Sequence, residues 1–264
     1  MRKVLILILM AFLCTLLIEA ADFEHREIEI RAQAMGSALT AGNSGVGSIY
    51  TNPAGRATTS RELFMTYSDL FGIGFFHNNF AYAQSLFNGG VGFAYEKLTN
   101  SEDLFYEVST FQLSYGRGSN LLPLNYGFTL RKLALNSEGG KADATCFDLG
   151  ISGRGGNLAW GLVIFNSFAM TNPPSKLNST PCEVKLGLAY QLPGTMVVGE
   201  LATGKELKLG IERVISDSLA LRAGCKNGTP TFGLGLSKGP WKIDYCFELG
   251  SLGYTNALGI TRQF

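Results

Sequence analysis

From about residue 61 onward the chain is written in short segments that alternate apolar with polar or small residues, separated by turn residues. In Trp241-Lys242-Ile243-Asp244-Tyr245-Cys246-Phe247-Glu248-Leu249 every odd position is apolar and every even one polar or small. Successive side chains of a strand point to opposite faces, so such a segment turns one face to an apolar medium and the other to a polar one. Leu207 to Glu212 and Thr231 to Leu236 repeat the pattern, and Leu158, Trp160, Leu162 and Ile164 form another apolar set. A soluble two-layer sheet also alternates, but its outer face is charged rather than dotted with glycine. The pattern predicts an all-β fold, a transmembrane antiparallel β-barrel.

Fourteen candidate strands fall near 62–68, 75–85, 90–98, 105–116, 124–135, 143–153, 157–167, 182–191, 195–202, 205–213, 218–226, 230–237, 240–249 and 253–264. This spacing leaves about 9–11 residues per strand, the length that crosses a bilayer when tilted. Twelve strands with longer loops fit nearly as well. An odd count is disfavoured in single-chain barrels.

The N-terminus fixes the compartment. Met1-Arg2-Lys3 precedes an apolar run from Val4 to Leu17, and Ile18-Glu19-Ala20-Ala21 follows. A basic start, a short apolar core and small residues at its exit predict a signal peptide over residues 1–20. The run is too short for a spanning helix. Cys14 follows Leu13, too bulky for a lipidation site. Cleavage leaves 20 basic and 20 acidic residues, a neutral balance that argues against a nucleic-acid partner. The 33 Gly, 18 Phe and 10 Tyr suit crowded lumen faces and aromatic girdles.

Residues 21–60 differ from the rest. Ile30 to Ala41 is small, Ala-rich and weakly helical, and Asn52-Pro53-Ala54 marks a turn. A solvated tail has no use for Met35, Leu39, Ile49 and Tyr50. The segment is expected to form a hatch inside the lumen, ahead of a barrel over residues 61–264.

Strand parity places Arg131, Asp148, Glu183, Lys185, Lys208, Glu212, Arg222, Lys242, Asp244 and Glu248 inside. The mixed signs point to a self-neutralising lumen rather than an ion-selective ring. Arg131, Lys185, Arg222 and Lys242 are candidate anchors for a ligand carboxylate. The blander alternative pairs them with Asp148, Glu183, Asp244 and Glu248. Cys146 and Cys246 face inward and Cys182 and Cys225 outward, and free thiols are expected. No cysteine spacing supports a metal site, and no cofactor is implied. Gly235-Leu236-Ser237-Lys238-Gly239 fits a nucleophile-elbow pattern. It closes an alternating strand, and the only histidines are His25 and His77, so an enzyme is not expected.

Ala34-Met35-Gly36, Ser48-Ile49-Tyr50-Thr51-Asn52-Pro53-Ala54-Gly55, Phe147-Asp148-Leu149-Gly150, Leu209-Gly210-Ile211-Glu212 and Leu252-Gly253-Tyr254-Thr255 stand in this order along the chain. In these blocks the chain resembles the PorV/PorQ-type outer-membrane barrels, relatives of the FadL-like transporters of hydrophobic compounds. The resemblance implies fourteen strands, an N-terminal hatch and the outer membrane of a Gram-negative-type bacterium. It also implies passage of small hydrophobic or amphipathic molecules or, alternatively, anchoring of a secretion-system protein. Outer-membrane lipid and the barrel-assembly machinery are the expected partners, the latter reading Leu258, Ile260 and Phe264. The chain departs from the pattern at Asn43-Ser44-Gly45, where acidic residues are usual, and at Arg262, where an aromatic is.

Overall fold

The computed structural model describes residues 27–58, 60–101, 105–172 and 180–264. The signal peptide, His25 and the start of the 21–60 segment lie outside them. Fourteen antiparallel strands close into one barrel, each pairing with its sequence neighbours and β1 with β14. They are β1 (Glu62–Leu70), β2 (Phe75–Leu86), β3 (Gly89–Asn100), β4 (Tyr106–Gly118), β5 (Asn125–Ser137), β6 (Gly140–Gly155) and β7 (Leu158–Asn172). The second half holds β8 (Glu183–Leu192), β9 (Thr195–Ala202), β10 (Glu206–Ser216), β11 (Leu219–Lys226), β12 (Thr229–Lys238), β13 (Trp241–Gly250) and β14 (Gly253–Gln263). The twelve-strand alternative is thereby excluded. Turn chemistry agrees with the hairpins: Asn227 and Gly228 adopt φ of 50° and 87°, the left-handed pair of a type I′ turn.

The sequence places the end of β7 near 167, but the strand runs on to Asn172. The cause is a bulge. Pairing jumps from Leu149 opposite Ile164 to Phe147 opposite Phe168, so Phe165, Asn166 and Ser167 face Asp148 alone. Asn166 absorbs the kink at a φ of 53°. Two extra residues preserve parity, and Phe168 and Met170 point outward as Ile164 does. The β6–β7 hairpin therefore projects beyond its neighbours.

Every strand carries large apolar side chains on its outer face, among them Met65, Phe93, Phe111, Leu188, Phe232 and Leu258. In water this girdle would be an aggregation hazard; around a closed barrel it is the surface that hydrocarbon wets. The molecule spans a membrane. One rim is formed where β1 starts and β14 ends, the other by the β1–β2, β5–β6 and β13–β14 connections.

Residues 27–58 pack against the inward side of this wall. Helix α1 (Ile30–Ala34) starts at Glu29, whose carboxylate accepts the Ala32 N–H at 2.6 Å and that of Arg31 at 3.3 Å. Gly36 and Ser37, at φ of 65° and 60°, turn the chain out of it. A 3-10 turn at Gly45–Gly47, helix α2 (Ser48–Thr51) and a 3-10 turn at Pro53–Thr58 complete the segment. Ile30, Met35, Leu39, Ile49 and Tyr50 are fully buried. Ile30, Ile49 and Tyr50 join Phe64, Ala81, Ala94 and Ala257 in one cluster. Met35 and Leu39 join Ala159, Ala189, Met196 and Val198 in another.

Candidate functional site

The N-terminal segment sits on a belt of inward-facing glycines. Gly116 pairs with Gly127 and Gly127 with Gly150, a lateral row across β4, β5 and β6. Gly161 and Gly187 pair on β7 and β8, and Gly210 and Gly224 on β10 and β11. At each the segment's backbone or a short side chain lies where a β-carbon would be. At Gly127 that position is filled by the Pro53 carbonyl and at Gly210 by the Met35 carbonyl. Glycine lets two backbones approach this closely. The high glycine content thus has a place: it shapes the seat.

Asn52 joins the segment to itself and to the wall. Its amide nitrogen donates to the Thr40 carbonyl at 3.1 Å and the Ile151 carbonyl at 3.2 Å, and its oxygen accepts the Ala54 N–H at 3.0 Å. Pro53 lies flat on the glycine row. The predicted turn Asn52-Pro53-Ala54 is therefore entirely buried against β4–β6.

Charges hold the other side. Arg31 grips Glu212 of β10 in a fork, Nε and Nη2 each 2.8 Å from a carboxylate oxygen. Glu212 also accepts from Arg222 Nε at 2.6 Å, and Arg222 Nη1 donates to Asp244 at 2.7 Å. Lys242 closes the chain at 3.4 Å from Asp244. Elsewhere Glu200 bonds both Lys208 at 3.3 Å and the Thr40 N–H at 3.2 Å, while Glu62 accepts the Val46 N–H at 2.6 Å. Burial works against the Arg31 charge, but Glu212 more than offsets it and holds the guanidinium above its ordinary range. Burial raises the Glu29 carboxyl, with Lys242 and Arg31 opposing. It also pulls Arg56 down to about 10, against the pull of Glu62. Arg56 donates to the Gly45 carbonyl at 2.5 Å and to that of Val91 at 3.1 Å.

Four residues along β5 from Gly127, about 13 Å toward the far rim, stands a second polar group. Arg131 bonds Asp148 through Nε at 2.7 Å and Nη2 at 2.9 Å, and its Nη2 also donates to Asn166 Oδ1 at 2.5 Å. The β7 bulge supplies Asn166 here, and its amide nitrogen reaches the Pro181 carbonyl at 2.8 Å. Lys185 pairs with Glu183 at 3.4 Å and sits 4.8 Å above the Phe165 ring. Farther out the lumen wall turns apolar: Leu133, Leu135, Ala142, Ala144 and Cys146 cluster with Tyr106, Val108 and Ala169.

The four candidate ligand anchors thus divide into two places. Arg131 and Lys185 flank Phe165 beyond the seat, whereas Arg222 and Lys242 belong to the chain of ion pairs that reaches Arg31. Each has a carboxylate partner, Asp148, Glu183 or Asp244, with Glu212 added for Arg222, whereas Glu248, the fourth acid expected to pair, forms no ion pair with any of them. Sequence reasoning missed Glu200, Glu62 and the Asn166 bulge. Glu200 stands at an inward position of a predicted strand, so parity alone would have found it. Cys146 and Cys246 are buried, Cys182 is exposed and Cys225 lies on an outward position, with Cys146, Cys225 and Cys246 free thiols. His77 faces inward near the start of β2, 3.6 Å from Glu96. Leu258, Ile260 and Phe264 are exposed on the outer face. Ser237 lies within β12 opposite Lys242, with no strand-to-helix turn to make it a nucleophile.

No family model and no curated protein matches this sequence. Solved structures do match its fold. The Pseudomonas putida toluene transporter TodX aligns with a TM-score of 0.61 at 11% identity, over 92% of this chain and 98% of that one. A deltaS2 mutant of TodX, described as a monoaromatic hydrocarbon channel, aligns with a TM-score of 0.65 at 11% identity, over 92% and 100%. At this identity the likeness is one of fold alone.

Proposed function

We propose that this chain is an outer-membrane channel, not an enzyme, that passes small hydrophobic or amphipathic molecules, with residues 21–60 as its hatch. The observation that carries the reading is the apolar wall of Leu133, Leu135, Ala142 and Ala144, on inward positions where a water-filled pore would be polar. It adjoins Arg131 and Lys185, which suit the polar end of an amphipathic guest. The TodX-like fold supports the same class of cargo. Export relies on the 1–20 signal peptide, and Leu258, Ile260 and Phe264 present the outward parity that assembly machinery reads. The anchoring alternative, a barrel that holds a secretion-system protein, draws on no feature of the described residues.

The test locks the hatch. A β-carbon on Gly42 would stand 3.5 Å from Cβ of Ala189, within disulfide range. Gly42→Cys with Ala189→Cys, in a background without the native thiols, is expected to stop uptake of a small aromatic hydrocarbon into proteoliposomes when oxidised and restore it when reduced. Equal uptake in both states refutes the hatch. Exclusion of apolar solutes in both, with free passage of sugars when reduced, refutes the cargo.

A further inference from the structure

The rim at which β1 begins carries an outward patch that the channel reading does not use. Lys238 of β12 pairs across to Trp241 of β13, Trp241 to Arg262 of β14, and Arg262 to Leu63 of β1. All four continue the apolar outward parity of Leu236, Ile243, Ile260 and Met65. Phe264 follows Arg262 on that face, and its N–H donates to the Arg61 carbonyl at 3.0 Å. Three exposed cations, Arg61, Lys238 and Arg262, thus ring two exposed aromatic side chains on four adjacent strands.

Arg262 is held in place by ring faces: its guanidinium carbon lies 5.1 Å from the Trp241 centroid and 4.6 Å from that of Phe264. Stacking in this way leaves the in-plane N–H donors unused. Among the described residues, no carboxylate lies within ion-pair distance of the three cations. Arg213 at the same rim differs, since it donates to the Pro193 carbonyl at 3.1 Å and Thr195 Oγ1 at 2.6 Å. The rims differ in charge: besides these, this rim exposes Arg154 and Asp217, whereas the far rim mixes Asp69, Glu107, Glu138, Asp143, Glu183 and Glu206 with Lys97, Lys141, Lys205 and Lys226. At that far rim β13 and β14, with the turn between them, expose Leu249, Leu252 and Tyr254.

A cationic group just outside an apolar band, flanked by Trp and Phe at headgroup depth, faces one abundant anion: the phosphate of a membrane lipid. We infer that Arg61, Lys238 and Arg262, ordered by Trp241 and Phe264, form a binding site for an anionic phospholipid headgroup in the leaflet at this rim. Arg262, a departure from the aromatic usual at its position, then has a role: its guanidinium makes the patch a phosphate site rather than a plain aromatic girdle.

The chain holds two tryptophans, so Trp160→Phe leaves Trp241 as the reporter. The full chain is placed in phosphatidylcholine vesicles with a minority of ring-quenching dibrominated lipid, either phosphatidylglycerol or phosphatidylcholine. Trp241 quenching is expected to show about a fivefold or greater preference for phosphatidylglycerol, the factor one basic residue near an anionic surface supplies. The triple variant Arg61→Gln, Lys238→Gln, Arg262→Gln should fall to parity, as should the parent in high salt. Arg61→Lys with Arg262→Lys should keep most of the preference. Barrel folding of each variant is read from its migration on an unheated gel. Parity in the parent overturns the site, as it would if an acidic protein face were the true partner. A preference that survives in the triple variant overturns it equally.

Discussion

Removing the Arg31 guanidinium tests whether the ion pairs hold the hatch. Arg31→Gln takes two charge-assisted bonds of 2.8 Å from Glu212 but leaves that carboxylate its 2.6 Å bond to Arg222. The cost therefore falls below the ~3–5 kcal/mol of a buried charge left alone. The side chains of Arg31 and Glu212 are 19% and 10% exposed, which trims it further. About 2 kcal/mol remains, the worth of hydrogen bonds to a charged group, or roughly a 30-fold rise in the undocked fraction. Position 38 reports that fraction, since Ala38 is buried beside Leu39 and Ala159 and the variant Ala38→Cys carries a single thiol in a background without the native ones. Its labelling by a membrane-impermeant maleimide should quicken about 30-fold in Arg31→Gln. Glu212→Gln should quicken it more, because Arg222 also loses a partner. The double variant should fall short of the sum by ~1 kcal/mol or more, the coupling of a direct contact. A labelling rate within about twofold of the parent in Arg31→Gln, with the barrel folded, would refute the latch.

Gly127→Ala drives a methyl into the Pro53 carbonyl and should undock the hatch by ~1–3 kcal/mol in the same labelling assay; Gly155→Ala, with open space around it, should do nothing. Asn52→Ala deletes three hydrogen bonds and should loosen docking by about 2 kcal/mol, seen as faster labelling at position 38. The Glu29 carboxyl, raised by burial, binds its proton more tightly docked than free. Its contribution to docking is thus full below about 4.5 and lost as pH climbs through the raised value. Labelling should accelerate with pH in the parent and keep only part of that dependence in Glu29→Gln, because burial also raises the Glu27 carboxyl of the same segment, to about 8. Arg131→Met leaves Asp148 buried without its cation and should lower barrel stability to denaturant by ~3–5 kcal/mol, which Asp148→Leu in the same chain largely restores.

The barrel was legible because its signal is redundant. Fourteen segments each state the same parity, and a slip of one residue in any of them would turn charges such as Asp244 into hydrocarbon. The β7 bulge was not legible for the complementary reason. Two extra residues keep the alternation intact on both sides of Asn166, so no break in pattern marks it, and only the left-handed φ of an asparagine betrays it. The inward charges were found by parity, yet their partners were chosen by register, which a single sequence does not state: Arg222 reaches across both neighbours, to Glu212 on β10 and Asp244 on β13. Glycine shows the same limit. Its abundance pointed to crowding, but that Gly116, Gly127 and Gly150 lie side by side follows only from strand offsets.

The glycine seat and the Arg31 ion pair hold the N-terminal segment in different ways. On the β4–β6 side Pro53 and Asn52 press backbone to backbone on glycines, a fit that removes little apolar side chain from water and so draws little hydrophobic free energy. It specifies shape, because a single methyl spoils it. On the β10–β13 side Met35 and Gly36 rest on Gly210 and Gly224, Thr231 bonds Gly36 and Ala34, and Arg31 lies on a carboxylate that Arg222 already holds, so releasing Arg31 leaves no barrel charge unpartnered. Arg31 can therefore leave at a cost of about 2 kcal/mol, while Glu212, Arg222, Asp244 and Lys242 stay neutralised among themselves.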